Sequence, residues 1–166
     1  MNFRAADRPL VSAGLVLGVG MGGFVDGILF HQIFQLHSML TARRPPTTVA
    51  NLEINMVWDG LFHAFTWTMT AIGLWLLFRA ARQPEVNWSG RILLGAMIAG
   101  WGLFNFVEGL VDHHLLHVHH VVERLGVSIW DYLFLASGIL FMLLGTWLIG
   151  SAPGSARATV DRPLES

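Results

Sequence analysis

Four apolar stretches, each long enough to cross a bilayer, constrain this sequence more than any other feature: Leu10–Leu36, Asn55–Phe78, Ile92–Leu116 and Ile129–Ile149, give or take a residue or two. A hydrocarbon core takes roughly 20 helical residues to cross. Apolar residues make up 54% of the chain and charged ones 13%, against about 25% charged in an ordinary soluble domain. The charges collect in the links, TARRPPTTVANLE, RAARQPEVNWSGR and a His-rich turn ending in ERLG, each of which carries turn or helix-stop chemistry. Arg4 and Arg8 precede the first run as in a secretory leader. That run is too long for a leader's apolar region and reads as a span. The expected fold is all-α: an integral membrane four-helix bundle over residues 1–150, followed by a polar, disordered tail over residues 151–166.

All ten basic residues are Arg, and their distribution predicts the orientation. Seven lie in the N-terminus, the second link and the tail, against three (Arg43, Arg44 and Arg124) on the other side. Cytoplasmic segments carry the excess of basic residues, which predicts that both termini are cytoplasmic. A net charge of −1 without any Lys excludes a general nucleic-acid binder. The absence of Cys excludes disulfides, thiolate metal sites and covalent c-type haem.

Sliding the chain against itself reveals a duplication. FVDGILFHQIFQLH (Phe24–His37) aligns without gaps to FVEGLVDHHLLHVH (Phe106–His119), pairing Asp26 with Glu108, Gly27 with Gly109, His31 with His113 and His37 with His119. VWDGLF (Val57–Phe62) answers IWDYLF (Ile129–Phe134) more weakly. The unit is a helical hairpin used twice, about residues 10–78 and 92–149. The two copies run in the same direction, so the axis relating them lies along the membrane normal. Gly14, Gly18 and Gly22, then Gly95 and Ala99, supply small residues for close helix contacts.

Ionisable groups within spans default to a functional reading, and here they gather at one end. Asp26, His31 and His37 close the first span, Asp59 and His63 open the second, Glu108, Asp112, His113 and His117 close the third, and Asp131 opens the fourth. With the termini inside, this end is extracytoplasmic. Helical spacing puts Asn55, Asp59 and His63 on one face, Glu108 and Asp112 on another, and His113 and His117 on a third. On an α-helix His31 points away from Asp26, and His37 lies three turns from it, about 16 Å at 1.5 Å per residue, too far to share a metal. His114, His119 and His120 read as groups at the water boundary.

These residues predict a transition-metal site with Asp26, His31, Asp59, His63, Glu108, Asp112, His113 and His117 as candidate ligands. Asp131 lacks a chelating His four residues on, because Leu135 stands there; it is assigned to proton transfer or ligand orientation. Imidazole and carboxylate donors suit Fe, Cu, Zn or Mn. The Glu-x-x-His pair of soluble di-iron bundles is missing, since Glu108 to His113 is two residues longer and Asp59 to His63 one longer.

The repeated F-V-D/E-G-[IL]-x-x-H motif, the W-D-G-L-F-H segment and the four spans resemble a bacterial multi-pass membrane family of unknown function, over about Leu10 to Ile149. That resemblance implies the membrane fold and the plasma-membrane location. It also implies an association with cytochrome oxidase assembly, and so with metal or haem handling and with respiratory oxidase assembly proteins as partners.

Several functions remain open at this point: a metal-dependent oxidoreductase or hydrolase, a metal-handling assembly factor using the His113–His120 cluster, a b-type haem protein with His31 and His113 as axial pair, and a proton or ion relay. The relay suffers from one-sidedness, because the opposite halves of the spans hold almost no ionisable group. The bilayer is the one certain surrounding, and a homo-oligomer is left open.

Overall fold

The computed structural model describes residues 4–153. The tail expected to be disordered therefore lies, from residue 154 onward, outside the described residues. Four α-helices account for the spans: α1 (Arg8–Asp26), α2 (Val49–Ala81), α3 (Gly90–Glu108) and α4 (Ile129–Gly150). α1 and α3 each run on without a break into a seven-residue π-helix, Gly27–Ile33 and Gly109–Leu115. All four units are long and apolar enough to cross a membrane.

Helix starts follow local chemistry. Pro9 sits in the first turn of α1, where its missing N–H costs nothing. Thr48 and Ser89 accept from the amides of Asn51 and Ile92 to cap α2 and α3, and Ser128 with Asp131 forms a capping box on α4.

α1 packs against both α2 and α3, and α3 against α4, whereas α2 and α4 make no contact with one another among the described residues. α1 and α3 thus form the interior of an open bundle. Their starts meet in an apolar cluster around Leu10, Val11, Ile92, Ala96 and Ile149, and their C-terminal ends carry the buried acids Asp26 and Glu108. They therefore run in the same direction. The backbones approach most closely at Gly18 and Gly100, equivalent positions of the repeat: a Cβ on Gly18 would collide with the Met97 carbonyl, and one on Gly100 with that of Leu15. The outer helices turn Trp67, Leu74, Trp75, Phe78, Leu140, Leu143 and Trp147 outward, a surface suited to lipid and hostile to water.

Candidate metal centre

The site is built by the two π-helices. A π-helix bonds residue i to i+5 instead of i+4, so residues five apart come into register along it. Asp26 ends α1 and His31 follows five residues later; the His31 Nε2 lies 3.1 Å from Asp26 Oδ2. Glu108 and His113 repeat the spacing. Sequence reasoning with α-helical periodicity turned His31 away from Asp26, and the wider turn brings it back. Gly27 is required here because His63 packs on it, its Nε2 standing 2.7 Å from where a Cβ would be.

Each π-helix closes with an amide bond back by five residues, Phe34 N to the Leu29 carbonyl and Leu116 N to that of Val111. The next residues, Gln35 and His117, then enter the left-handed region at φ 48° and 47°. The chain doubles back, and His37 and His119 return to the acids they follow. The 16 Å expectation for Asp26 and His37 is overturned by this reversal: Asp26, His31 and His37 each offer a ligand atom within 4.8 Å of the others, and Glu108, His113 and His119 do the same.

The two triads adjoin. His37 and His119 stack with ring centroids 4.6 Å apart, and His119 lies 6.0 Å from His31 and 4.9 Å from His113. The carboxyl groups of Asp26 and Glu108 also interact directly. All six residues are buried, with His113 1% exposed and His119 fully enclosed.

Three of the four histidines are hydrogen-bonded through Nδ1, and the fourth, His113, faces an aspartate. His31 donates to Asp59 Oδ1 at 3.0 Å, and His113 Nδ1 lies 3.4 Å from Asp131 Oδ1. His37 donates to the Val121 carbonyl and His119 to that of Met39, both at 3.1 Å. Asp59 and Asp131 are fixed in turn by the amides of Met39 and Val121. Orientation of an imidazole through its second nitrogen is the usual support of a histidine ligand. The Nε2 atoms of His37, His113 and His119 and both Glu108 oxygens have no hydrogen-bond partner among the described residues, while His31 Nε2 and Asp26 Oδ2 face one another. Five buried polar atoms without partners are costly unless something else satisfies them. Burial, reinforced by His119, holds His37 well below the usual imidazole range, and burial takes His119 down to about 4. Both therefore stay neutral at physiological pH, the form that binds metal.

A family model described as a predicted membrane protein, DUF2243, matches residues 13–152. The chain belongs to this family. No curated protein and no solved structure matches it.

Of the residues singled out from sequence, this DUF2243 protein brings Asp26, His31, Glu108 and His113 into the two triads. Asp59 and Asp131 stand just behind them in equivalent positions, each against a triad histidine. His63 instead bonds its own helix, donating from Nδ1 to the Asp59 carbonyl at 2.7 Å. Asn55 pins the first loop, accepting from Leu40 N and donating to the Arg44 carbonyl. Asp112 is half-buried beside Glu108, and His117 is exposed at the chain reversal. His119 and His120, expected at the water boundary, are buried under the loops. Sequence reasoning set aside His37 and His119 as ligands. Their pairing in the repeat, each six residues beyond a paired His, was the signal that could have found them.

Proposed function

We propose that the two triads form a buried two-metal centre, and that the protein is a membrane metalloenzyme of the oxidoreductase class. The observation that carries this reading is the convergence of four buried Nε2 atoms and two buried carboxyl groups, with three of the imidazoles already oriented from behind by hydrogen bonds and the fourth facing Asp131. Four imidazoles and two carboxylates are the donors of iron, copper, zinc or manganese, not of magnesium or calcium. Bound ions would supply Lewis acidity and redox chemistry. The chain's own residues hold them, exclude water, and through Asp59 and Asp131 fix the ligating rings.

Enclosure favours resident ions over cargo. Metal handling, including service to respiratory oxidase assembly, is the second reading, and it rests on exposed His117, whose ring lies 5.7 Å from that of His120 beside Asp131. A b-type haem is disfavoured by packing: the histidine rings lie against one another at 4.6 to 6.3 Å, leaving no slot for a porphyrin. The reading places the centre at the extracytoplasmic side of a bacterial plasma membrane. The arginine asymmetry supports this, as do Arg79, Arg82 and Arg91, which lie over Trp75, Phe78 and Trp147 at the opposite end in the manner of interfacial anchors.

The test is elemental analysis and electron paramagnetic resonance of detergent-purified protein. The expected result is one transition-metal ion per triad, with a spectrum showing the two interacting. Protein that is metal-free as isolated and takes up none of the four metals on reconstitution would overturn the reading.

A further inference from the structure

The two triads repeat one another residue for residue, but two clefts that flank them at equivalent positions differ. One cleft, of about 140 Å³, is lined by Asp26, Phe30, Trp101 and Phe134, among others. The other, of about 340 Å³, is lined at the equivalent positions by Glu108, Asp112, Val19 and Phe62. Trp101, braced edge-on against Phe141, fills the first. Val19 stands where Trp101 would be and Asp112 where Phe30 would be, so the second remains open.

The open cleft faces the hydrocarbon. Its rim residues Phe65, Leu103 and Val107 are each more than two-fifths exposed on the outside of the helices. Its inner end is Glu108, 5% exposed, whose two carboxyl oxygens accept no hydrogen bond among the described residues. An occupant thus meets Phe62, Phe65 and Phe104 along its length and two carboxyl acceptors at its head. A volume of 340 Å³ falls within the range of small-molecule sites.

We infer that this cleft is a lateral binding site for a lipid-soluble hydroxyaromatic molecule, a phenol or hydroquinone whose hydroxyl donates to Glu108 and Asp112 while its ring and tail lie against the phenylalanines. A charged head would lose its hydration in reaching the site from the bilayer, whereas a hydroxyl keeps a hydrogen bond on arrival. Glu108 belongs both to the cleft and to a triad, so bound metal would share its carboxyl group, and Asp112 remains an acceptor for the hydroxyl in either state.

Equilibrium binding of radiolabelled decylhydroquinone to the full chain in nanodiscs tests this, with metal-loaded and chelator-stripped protein measured in parallel. One saturable site per chain is expected in both, so failure of the metal reading leaves the test intact. Decylbenzene, with the same ring and tail but no hydroxyl, should not compete. Val19→Trp, which copies the plug of the other repeat, should weaken binding by about tenfold or more, and Asp112→Phe should do likewise. The double variant Trp101→Val/Phe30→Asp, which copies both differences, should add a second site, and monodisperse elution with unchanged thermal unfolding establishes that each variant is folded. Unchanged binding in folded Val19→Trp would overturn the proposal. Equal competition by decylbenzene would also overturn it, because the cleft would then hold any acyl or aryl chain.

Discussion

His37 and His119 lie face to face, 4.6 Å apart with their planes 6° from parallel, and each is held by the backbone of the other repeat, His37 by Val121 and His119 by Met39. The two halves of the molecule therefore complete one another: neither triad keeps its third imidazole oriented without a carbonyl from the opposite repeat. A single copy of the motif would lack that support.

The first prediction concerns which histidines matter. His37→Ala and His119→Ala should each lower metal content as strongly as His31→Ala or His113→Ala. His63→Ala and His117→Ala should leave it nearly unchanged, because His63 bonds its own helix and His117 is exposed. Elemental analysis of the six variants decides it. Loss of metal in His63→Ala with retention in His119→Ala would restore the α-helical pairing of ligands.

The second concerns the two aspartates behind the rings. Asp59 and Asp131 accept from equivalent amides and face the Nδ1 of equivalent histidines. Asp59→Asn and Asp131→Asn should therefore behave alike, each lowering metal affinity by about 10- to 100-fold without abolishing binding. Competition against a calibrated chelator measures this. Abolished binding in one and normal binding in the other would show that the halves are functionally unlike.

The spans were legible because apolarity and length suffice to mark them, and the duplication was legible because Asp26/Glu108, His31/His113 and His37/His119 recur at matched spacing. What the pattern did not show was which groups meet. Pairings drawn on an α-helical wheel fail where residues 27–33 and 109–115 are π-helical, and no helical wheel anticipates the reversal at Gln35 and His117. A glycine directly after each buried acid, Gly27 and Gly109, was the local hint that the helix changes there.

A third prediction follows from the neutral imidazoles. His119 titrates at about 4 in the fold, against roughly 6.5 in an unfolded chain, so between these values the unfolded state binds the extra proton. The stability contributed by keeping His119 neutral is complete above about pH 6.5 and is lost as pH falls toward 4, at up to about 1.4 kcal/mol per pH unit. His37, also lowered, acts in the same direction. Chelator-stripped protein should therefore show a falling denaturation midpoint across this window. His119→Phe, which keeps a stacking ring but cannot titrate, should show a shallower fall; an identical slope would place the acid sensitivity elsewhere.

The fourth concerns orientation. Among the described residues five arginines lie towards the start of α1 and the link between α2 and α3, and three lie in the loops around the triads. A reporter fused after Ile149 should be active in the cytoplasm and one inserted at Pro45 active outside. The reverse pattern would put the centre on the cytoplasmic face and remove the extracytoplasmic reading altogether.

The last prediction separates the spacing of α1 and α3 from the chemistry at their ends. Gly18 and Gly100 let the two backbones touch, and any side chain there meets a carbonyl of the facing helix. Because one triad hangs from the end of each helix, forcing them apart should separate the triads. Gly18→Leu or Gly100→Leu should thus keep the spans inserted and helical by circular dichroism, yet abolish the spin coupling between the two ions. Gly60 serves as the contrast, since nothing lies within 4 Å of a Cβ built there and it sits inside α2. Gly60→Ala should raise the unfolding free energy, by up to about 1 kcal/mol in a helix interior, and leave the coupling intact. Persistent coupling in folded Gly18→Leu would mean that the loops alone, through the exchanged contacts of His37 and His119, hold the two triads together.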